Sequence, residues 1–477
     1  MSEYSGNVIF KEWLPDQPDL NNPGLTEALN VLPLEGHYAA YQPFTTGSGT
    51  TAFAAVIAPT VSGAVNGAFI GDLGTGSNLS FYATQAGTIF TFAGSWITVG
   101  SFAAQSYWQF AQYRDRTIAV AGQQVPVQAT IGSSSAFTTL ASIGTAPAAN
   151  AIGVIGQFVM LGGFSAGYSS VQWSGIDDES AWPTPNSATA IAMQSGRQDL
   201  DSRGGVVTGI YGGDQFGIIA QRGHMTRATY VGGNTVFQFD PIDKTAGSYF
   251  PFGGVLAGRL LYYVGLDGFF RTDGVSAERI GKGKVDRYFW NSVTSTFDSP
   301  LVIAAYDYVN RLVMWAWPTG VAPSSSGNLL IFSESTGRWT RATDSLHRIF
   351  TAPPAHSTVS QPVWAVSTAN RMGQLAGAPG TAIITTGETE PNPGGFSRIS
   401  GVKPLVDQTI NAVTVAFGTR NDRTSAVTFS AETTANSRSG FANSRSEARY
   451  HRARLTIAGT FNAAQGLEYQ SDPSGYT

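Results

Sequence analysis

The run GRLLYYV at residues 258–264 opens on a Gly-containing turn, carries an unbroken apolar and aromatic stretch, and is closed by a second turn. The same grammar recurs in RDRTIAV (114–120), GQFVML (156–161), GDQFGII (213–219) and NRLVMW (310–315). With Arg116, Gln157, Gln215, Arg259 and Arg311 as markers, the intervals are 41, 58, 44 and 52 residues. Spacings near the roughly 40–50 residues of a propeller blade predict an all-β chain built as a six- or seven-bladed β-propeller. Blade-like text surrounds residues 81–97, 108–127, 152–173, 206–230, 254–270, 301–339 and 349–366. Within 301–339, Leu329 to Phe332, Ser333 to Gly337 and Arg338 to Thr340 spell strand, turn, strand, and Trp339 is placed to pack between neighbours. An irregular β-sandwich with long insertions is the competing architecture.

Composition fits a turn-rich β-protein. Charged residues are 13% against a usual share of about 25%, and there are 56 Gly among 477 residues. The 42% hydrophobic content and 10 Trp suffice to fill a core, and the length allows either two or three units or one large ring with an addition. A formal net charge of −4, with Lys only at Lys11, Lys244, Lys282, Lys284 and Lys403, argues against tight sequence-independent capture of nucleic acid. The preference for Arg over Lys suits contacts between subunits. The absence of cysteine excludes disulfides, thiol catalysis and thiolate metal sites, and fits folding in a reducing cytosol. Glu3, Glu12, Asp16 and Asp19 near the start do not read as a secretory signal, and no run approaches the roughly 18 apolar residues of a membrane span.

Three regions are expected. Residues 1–45, punctuated by Pro15, Pro18, Pro23, Pro33 and Pro43, read as an extended arm with at most a short helix near Leu25 to Asn30; a loop packed on its own domain is the plainer alternative. Residues 46–390 carry the propeller. Residues 391–477, after the Gly/Pro-rich linker Pro391 to Gly395, read as a small β-domain that is net basic up to Arg454: there Arg398, Lys403, Arg420, Arg423, Arg438, Arg445, Arg449, Arg452 and Arg454 stand against Asp407, Asp422, Glu432 and Glu447. Val413 to Phe417 and Arg454 to Ala458 alternate with period two, as strands exposed on one face do. The twice-repeated Asn-Ser-Arg-Ser between Asn436 and Ser446 reads as a loop.

No string carries catalysis. Gly163-Phe164-Ser165-Ala166-Gly167 matches G-x-S-x-G, but Tyr168 to Trp173 after it is strand-like, whereas a nucleophile elbow needs a helix there. His37, His224, His347, His356 and His451 lack metal-ligand spacing, and Asp177-Asp178-Glu179 and Asp199-Leu200-Asp201 lack the ladder of a calcium loop. Tyr450, His451 and Arg452 could touch phosphates, with a solvated face or an Arg-rich interface as the plainer reading. The expectation is therefore a non-enzyme without metal or cofactor.

The strings VQWSGIDDESAWP, GGVVTGIYGGDQFGIIAQRGHMTRATYVGG, VFQFDPI and LLYYVGLDGFFRTDGVSAERIG, together with EWLPDQPDLNNPGLTEALNVLP near the start and TVAFGTRNDRTSAV and ARYHRARLTIAG near the end, resemble segments of structural proteins of tailed bacteriophages. They resemble in particular the β-propeller tail nozzle, or packaged-DNA-stabilising, proteins of short-tailed phages. The resemblance implies a virion tail component assembled in the bacterial cytoplasm. It implies a homohexamer below the portal and adaptor, beside tail fibre or spike proteins, that passes double-stranded DNA without reading its sequence. It brings no catalytic residues. It makes Trp13, Leu14, Pro15 and Asp16 in the arm, and Arg449, Tyr450 and Arg452 in the terminal strand, candidates for interfaces; Gly71, Asp72, Gly74, Ser324 and Ser325 are candidate channel loops. Two other readings stay open: a receptor-binding or glycan-processing tail part displaying Trp96, Trp108, Trp182 and Asp177, and a host cytosolic scaffold.

Overall fold

A computed structural model describes residues 4–19, 22–46, 56–57, 63–74, 79–122, 124–293, 302–318, 327–353 and 362–475. The apolar runs with which the sequence was read are the second strands of four-stranded antiparallel sheets. Arg116–Ala121, Phe158–Gly162, Phe216–Gln221, Leu260–Gly265 and Leu312–Pro318 each pair back onto a first strand through a tight turn. Gly156 and Gly258 take φ of +55° and +60° in two of those turns, a left-handed conformation in which any side chain other than Gly is strained. These second strands are apolar nearly throughout, because both of their faces are covered.

Six such sheets stand alone among the described residues, and the first four strands of a ten-stranded sheet form a seventh unit. In chain order the units span residues 65–101 (sheet 1), 109–139 (sheet 2), 151–199 (sheet 3), 207–243 (sheet 4), 254–279 (sheet 5), 303–344 (sheet 6) and 346–375 (sheet 7). The fourth strand of sheet 7 is Phe44–Thr45, contributed by the start of the chain. The first strand of each sheet lies against the first strand of the next, and that of sheet 7 lies against that of sheet 1. At Gly153 a Cβ would sit 2.5 Å from the Ile210 carbonyl oxygen, so sheets 3 and 4 approach this closely only because the residue is Gly.

A separate apolar cluster fills each junction between neighbouring sheets. Tyr82, Trp108 and Val127 join sheets 1 and 2; Ile118, Val159 and Leu161 join 2 and 3; Phe158, Trp173 and Phe237 join 3 and 4. Ile218, Leu261 and Tyr263 join 4 and 5, Met314, Ile331 and Val363 join 6 and 7, and Trp364, Met372 and Ile70 join 7 and 1. The largest cluster joins 5 and 6: Trp339 is fully buried, stacks on Trp315 at 5.7 Å and meets Phe269 at 5.0 Å. At roughly 25 cal/mol per Å² of apolar area, this burial is the dominant favourable term in the fold.

The long interval at Gln157 to Gln215 arises from an insertion between the third and fourth strands of sheet 3. It holds the helix Ala188–Ala192 and the strand Ala181–Trp182, which pairs in parallel with Ile143–Gly144.

The two ends of the chain are woven together. Leu25–Leu29, expected to hold at most a short helix, is instead a strand, because its edges pair with Trp339–Asp344 of sheet 6 and with Thr381–Thr386. The sheet continues through Tyr450–Ala458 to Val413–Arg420. A second, six-stranded sheet combines Tyr4–Ile9, Val31–Leu34 and His37–Ala40 with Phe396–Val406, Ala442–Ala448 and Ala464–Gly475. The expected loop at 436–446 thus contributes a strand that begins at Ala442.

Candidate functional site

The first strands converge on one cavity. Its volume is about 280 Å³, and every sheet contributes to its wall: Phe69, Phe110, Ile152, Ile210, Val255, Ile303 and Phe350, in order from sheet 1 to sheet 7. Arg348, also from sheet 7, is the charged residue in this wall, and no Asp or Glu lines it among the described residues. Arg348 is only 8% exposed; its guanidinium lies 5.0 Å from the centre of the Phe252 ring, and its Nε donates to the Val65 carbonyl at 3.4 Å. Burial pulls its pKa down to about 10, which leaves it cationic at neutral pH. The reading of the sequence missed this site because its members lie on seven separated strands. One signal was available: Arg348 is a lone charge in LHRIFT, between Leu346 and Ile349, which are both buried.

The candidate arm residues lie against the chain's own core. Trp13 is 1% exposed, donates from Nε1 to the Thr26 carbonyl at 3.2 Å, and meets Tyr288 edge-on at 5.1 Å. Leu14 and Pro15 are half-buried, and Leu14 bonds through its backbone N–H to Leu25 at 3.1 Å. Asp16 accepts from the backbone N–H groups of Arg287 (2.8 Å) and Tyr288 (2.7 Å) in the first turn of the helix Asp286–Ser292. Val285, at the cap position, has no side-chain oxygen to offer, so Asp16, 271 positions before Arg287, does the capping. Nearby, Glu12 pairs with Lys284 at 2.9 Å, and burial raises its pKa in spite of that cation.

Arg452, in the strand Tyr450–Ala458, belongs to a buried ionic cluster. Glu388 takes two bonds from Arg420, at 2.6 and 2.9 Å, and one from Arg452 at 3.4 Å; all three side chains are 6–7% exposed. Arg452 reaches on to Asp19 of the arm at 3.1 Å. Tyr450 is buried, and Arg423 both covers its ring at 5.1 Å and donates to its hydroxyl at 2.9 Å. Arg449 donates to the Gly394 carbonyl at 3.3 Å. His451 directs Nε2 toward the carbonyls of Ala448 (3.0 Å) and Ser397 (3.1 Å), while Nδ1 is buried without a hydrogen bond.

Of the channel-loop candidates, Gly71 packs where sheet 1 meets Thr117 and Ile131 of sheet 2, and Asp72 is 8% exposed, with its backbone bonded to the Gln112 side chain. Gly74 is exposed in the turn beyond them. Ser324 and Ser325 lie outside the described residues. Trp108 and Trp182 are each 1% exposed and offer no face to a sugar; Asp177 pairs with Arg114. The G-x-S-x-G segment is a connection between the strands Phe158–Gly162 and Ser170–Trp173, and no helix follows it. Among the described residues, no group of three or more His, Asp or Glu is placed to hold a metal, and no helix is long and apolar enough to cross a membrane.

No family model matches the chain, and no curated protein does. Among solved structures, the computationally designed Ika8 protein aligns with 73% of this chain and 99% of its own, at 10% identity and a TM-score of 0.36. U3-55K aligns with 71% of this chain and 91% of its own, at 8% identity and the same TM-score.

Proposed function

We propose that the seven sheets are the blades of a β-propeller and that the chain is a structural nozzle subunit in the tail of a short-tailed phage, assembling as a homohexamer below the portal and adaptor. The observation that carries the propeller reading is the cyclic order of first-strand contacts, with sheet 7 completed by Phe44–Thr45 from the start of the chain. The phage reading rests on the resemblance of the quoted segments, which supply the strands of sheets 4 and 5 and the interwoven ends. Physical arguments agree with it. The grooves of B-DNA alone are about 12 and 6 Å wide, so a duplex does not fit a cavity of about 280 Å³ walled by side chains, and any conduit must lie between subunits. A net charge of −4 lets DNA slide past without the counterion release that would hold it. Arg420, Arg452, Asp16 and Glu12 act as internal staples, as expected of a rigid structural part.

Cryo-electron microscopy of the intact particle tests this. The expected result is a hexameric ring of this chain around an axial channel continuous with the packaged DNA. Placement on peripheral spikes, or absence from the particle, would overturn it.

A further inference from the structure

The junction of sheets 4 and 5 opens into a second pocket, of about 340 Å³, between the turn that joins Val207–Tyr211 to Phe216–Gln221 and the turn that joins Gly254–Ala257 to Leu260–Gly265. We propose that it binds a free α-amino acid with an apolar side chain, the carboxylate on Arg259, the ammonium on Asp214 and the side chain against Phe216, Ile218 and Leu256. Nothing in the tail reading requires such a site, and neither reading depends on the other.

Three observations carry this. The first is charge. Asp214 and Arg259 are exposed on the two turns and line the same pocket, and among the described residues their side chains form no ion pair with each other or with a neighbour. A simple anion is repelled by Asp214 and a simple cation by Arg259, whereas a ligand carrying one charge of each sign is drawn by both. The second is the base of the pocket. Ile218 is buried, Phe216 and Leu256 are half-buried, and all three belong to the apolar cluster that joins sheets 4 and 5. The volume falls in the roughly 300–1,000 Å³ of ligand pockets, so an aliphatic or aromatic side chain has both room and an apolar surface to cover. The third is rigidity. The Gly213 carbonyl accepts from the Gly156 N–H of sheet 3 at 2.9 Å, and the Gln215 carbonyl accepts from the Tyr230 N–H at 3.2 Å, so the turn that carries Asp214 is held on both sides of it. The exposed Gln215 side chain adds an amide that can accept from the ammonium or donate to the carboxylate.

L-Leucine, N-acetyl-L-leucine, L-leucinamide and glucose, added separately to the full chain and followed by saturation-transfer NMR, provide the test. L-Leucine is expected to bind saturably at about millimolar concentration, because both charges stay in contact with water. N-acetyl-L-leucine lacks the ammonium and L-leucinamide the carboxylate, and each should bind at least about tenfold more weakly. Arg259→Gln and Asp214→Asn should each weaken L-leucine by a similar factor. No saturable binding of L-leucine, binding of either derivative as tight as that of L-leucine, unchanged binding in either variant, or binding of glucose alone would each overturn the proposal. Should a variant fail to fold, photo-leucine labelling of the wild type decides the matter. Adducts within residues 211–218 or 254–261 support the site; adducts elsewhere, or none, refute it.

Discussion

Where sheets 3 and 4 meet, Phe237 packs edge-on against Phe158 and Trp173 at 5.1 and 5.3 Å; where the arm meets the terminal strands, Glu388 sits between two buried arginines and Asp19 approaches one of them. The first kind of contact joins strands close in sequence and needs only complementary apolar area. The second joins residues 19, 388, 420 and 452 and is strict about its partners, because a misdocked arm leaves charge buried without an opposite. The ring can therefore grow unit by unit from neighbouring hairpins, whereas the two ends must find one arrangement.

Trp13 is where the two regimes meet, since it belongs to the same apolar cluster as Trp315 and Trp339 of sheet 6. Trp13→Ala is expected to cost about 3–5 kcal/mol, read as a lower urea midpoint together with faster amide exchange in residues 25–29 and 285–292. If exchange rose throughout sheets 1–4 as well, the arm would be integral to the ring, and the contrast between the regions would fail. Glu388→Gln keeps the shape but strips Arg420 of its carboxylate and leaves Arg452 with Asp19 alone, and is expected to cost about 3 kcal/mol, with exchange rising in 413–420 and 450–458. Asp19→Asn, at a side chain 57% exposed, should cost less than about 1 kcal/mol. Equal costs for the two would mean that the cluster works as a surface ion pair.

The same contrast explains what could be read from the sequence. The runs at 117–120, 158–161, 216–219, 260–264 and 312–315 are second strands, covered on both faces, so their apolar character is continuous and shows without knowledge of the partner. Sheet 1 is missing from that series because its second strand, Leu79–Gln85, is interleaved with Ser80, Thr84 and Gln85, which are buried polar residues. Leu25–Leu29 was opaque for a different reason: LTEAL carries no period-two signal, and its strand conformation comes from partners more than 300 residues away. Arg452 and Tyr450 were visible as a basic and aromatic pair, but that Glu388 lies between Arg452 and Arg420 depends on the sheet register alone. Nor could spacing reveal that Arg348 faces six other first strands.

Smaller effects sharpen the contrast at single bonds. Asp16→Ala removes the cap supplied to the helix Asp286–Ser292 and should cost about 1 kcal/mol, with Asp16→Asn recovering part of it, since an amide oxygen still accepts one N–H. A cost near zero would mean that water caps the helix as well as the arm does.

The smallest effect is invisible at neutral pH. Burial lowers the His451 pKa from 6.5, and a second proton on the ring would go to Nδ1, which has no acceptor. Unfolding exposes the imidazole and restores its ordinary affinity for a proton. Below about pH 6.5 the unfolded chain therefore binds a proton that the folded chain refuses, so stability falls with pH from there down to the folded-state pKa and is unaffected above it. Urea midpoints at pH 7.5, 6.0 and 5.0 should decline for the wild type, and His451→Gln should flatten the part of that decline that begins near pH 6.5. If the decline is unchanged in His451→Gln, the acid sensitivity belongs to other groups, and the imidazole is a spectator to the ionic clamp beside it.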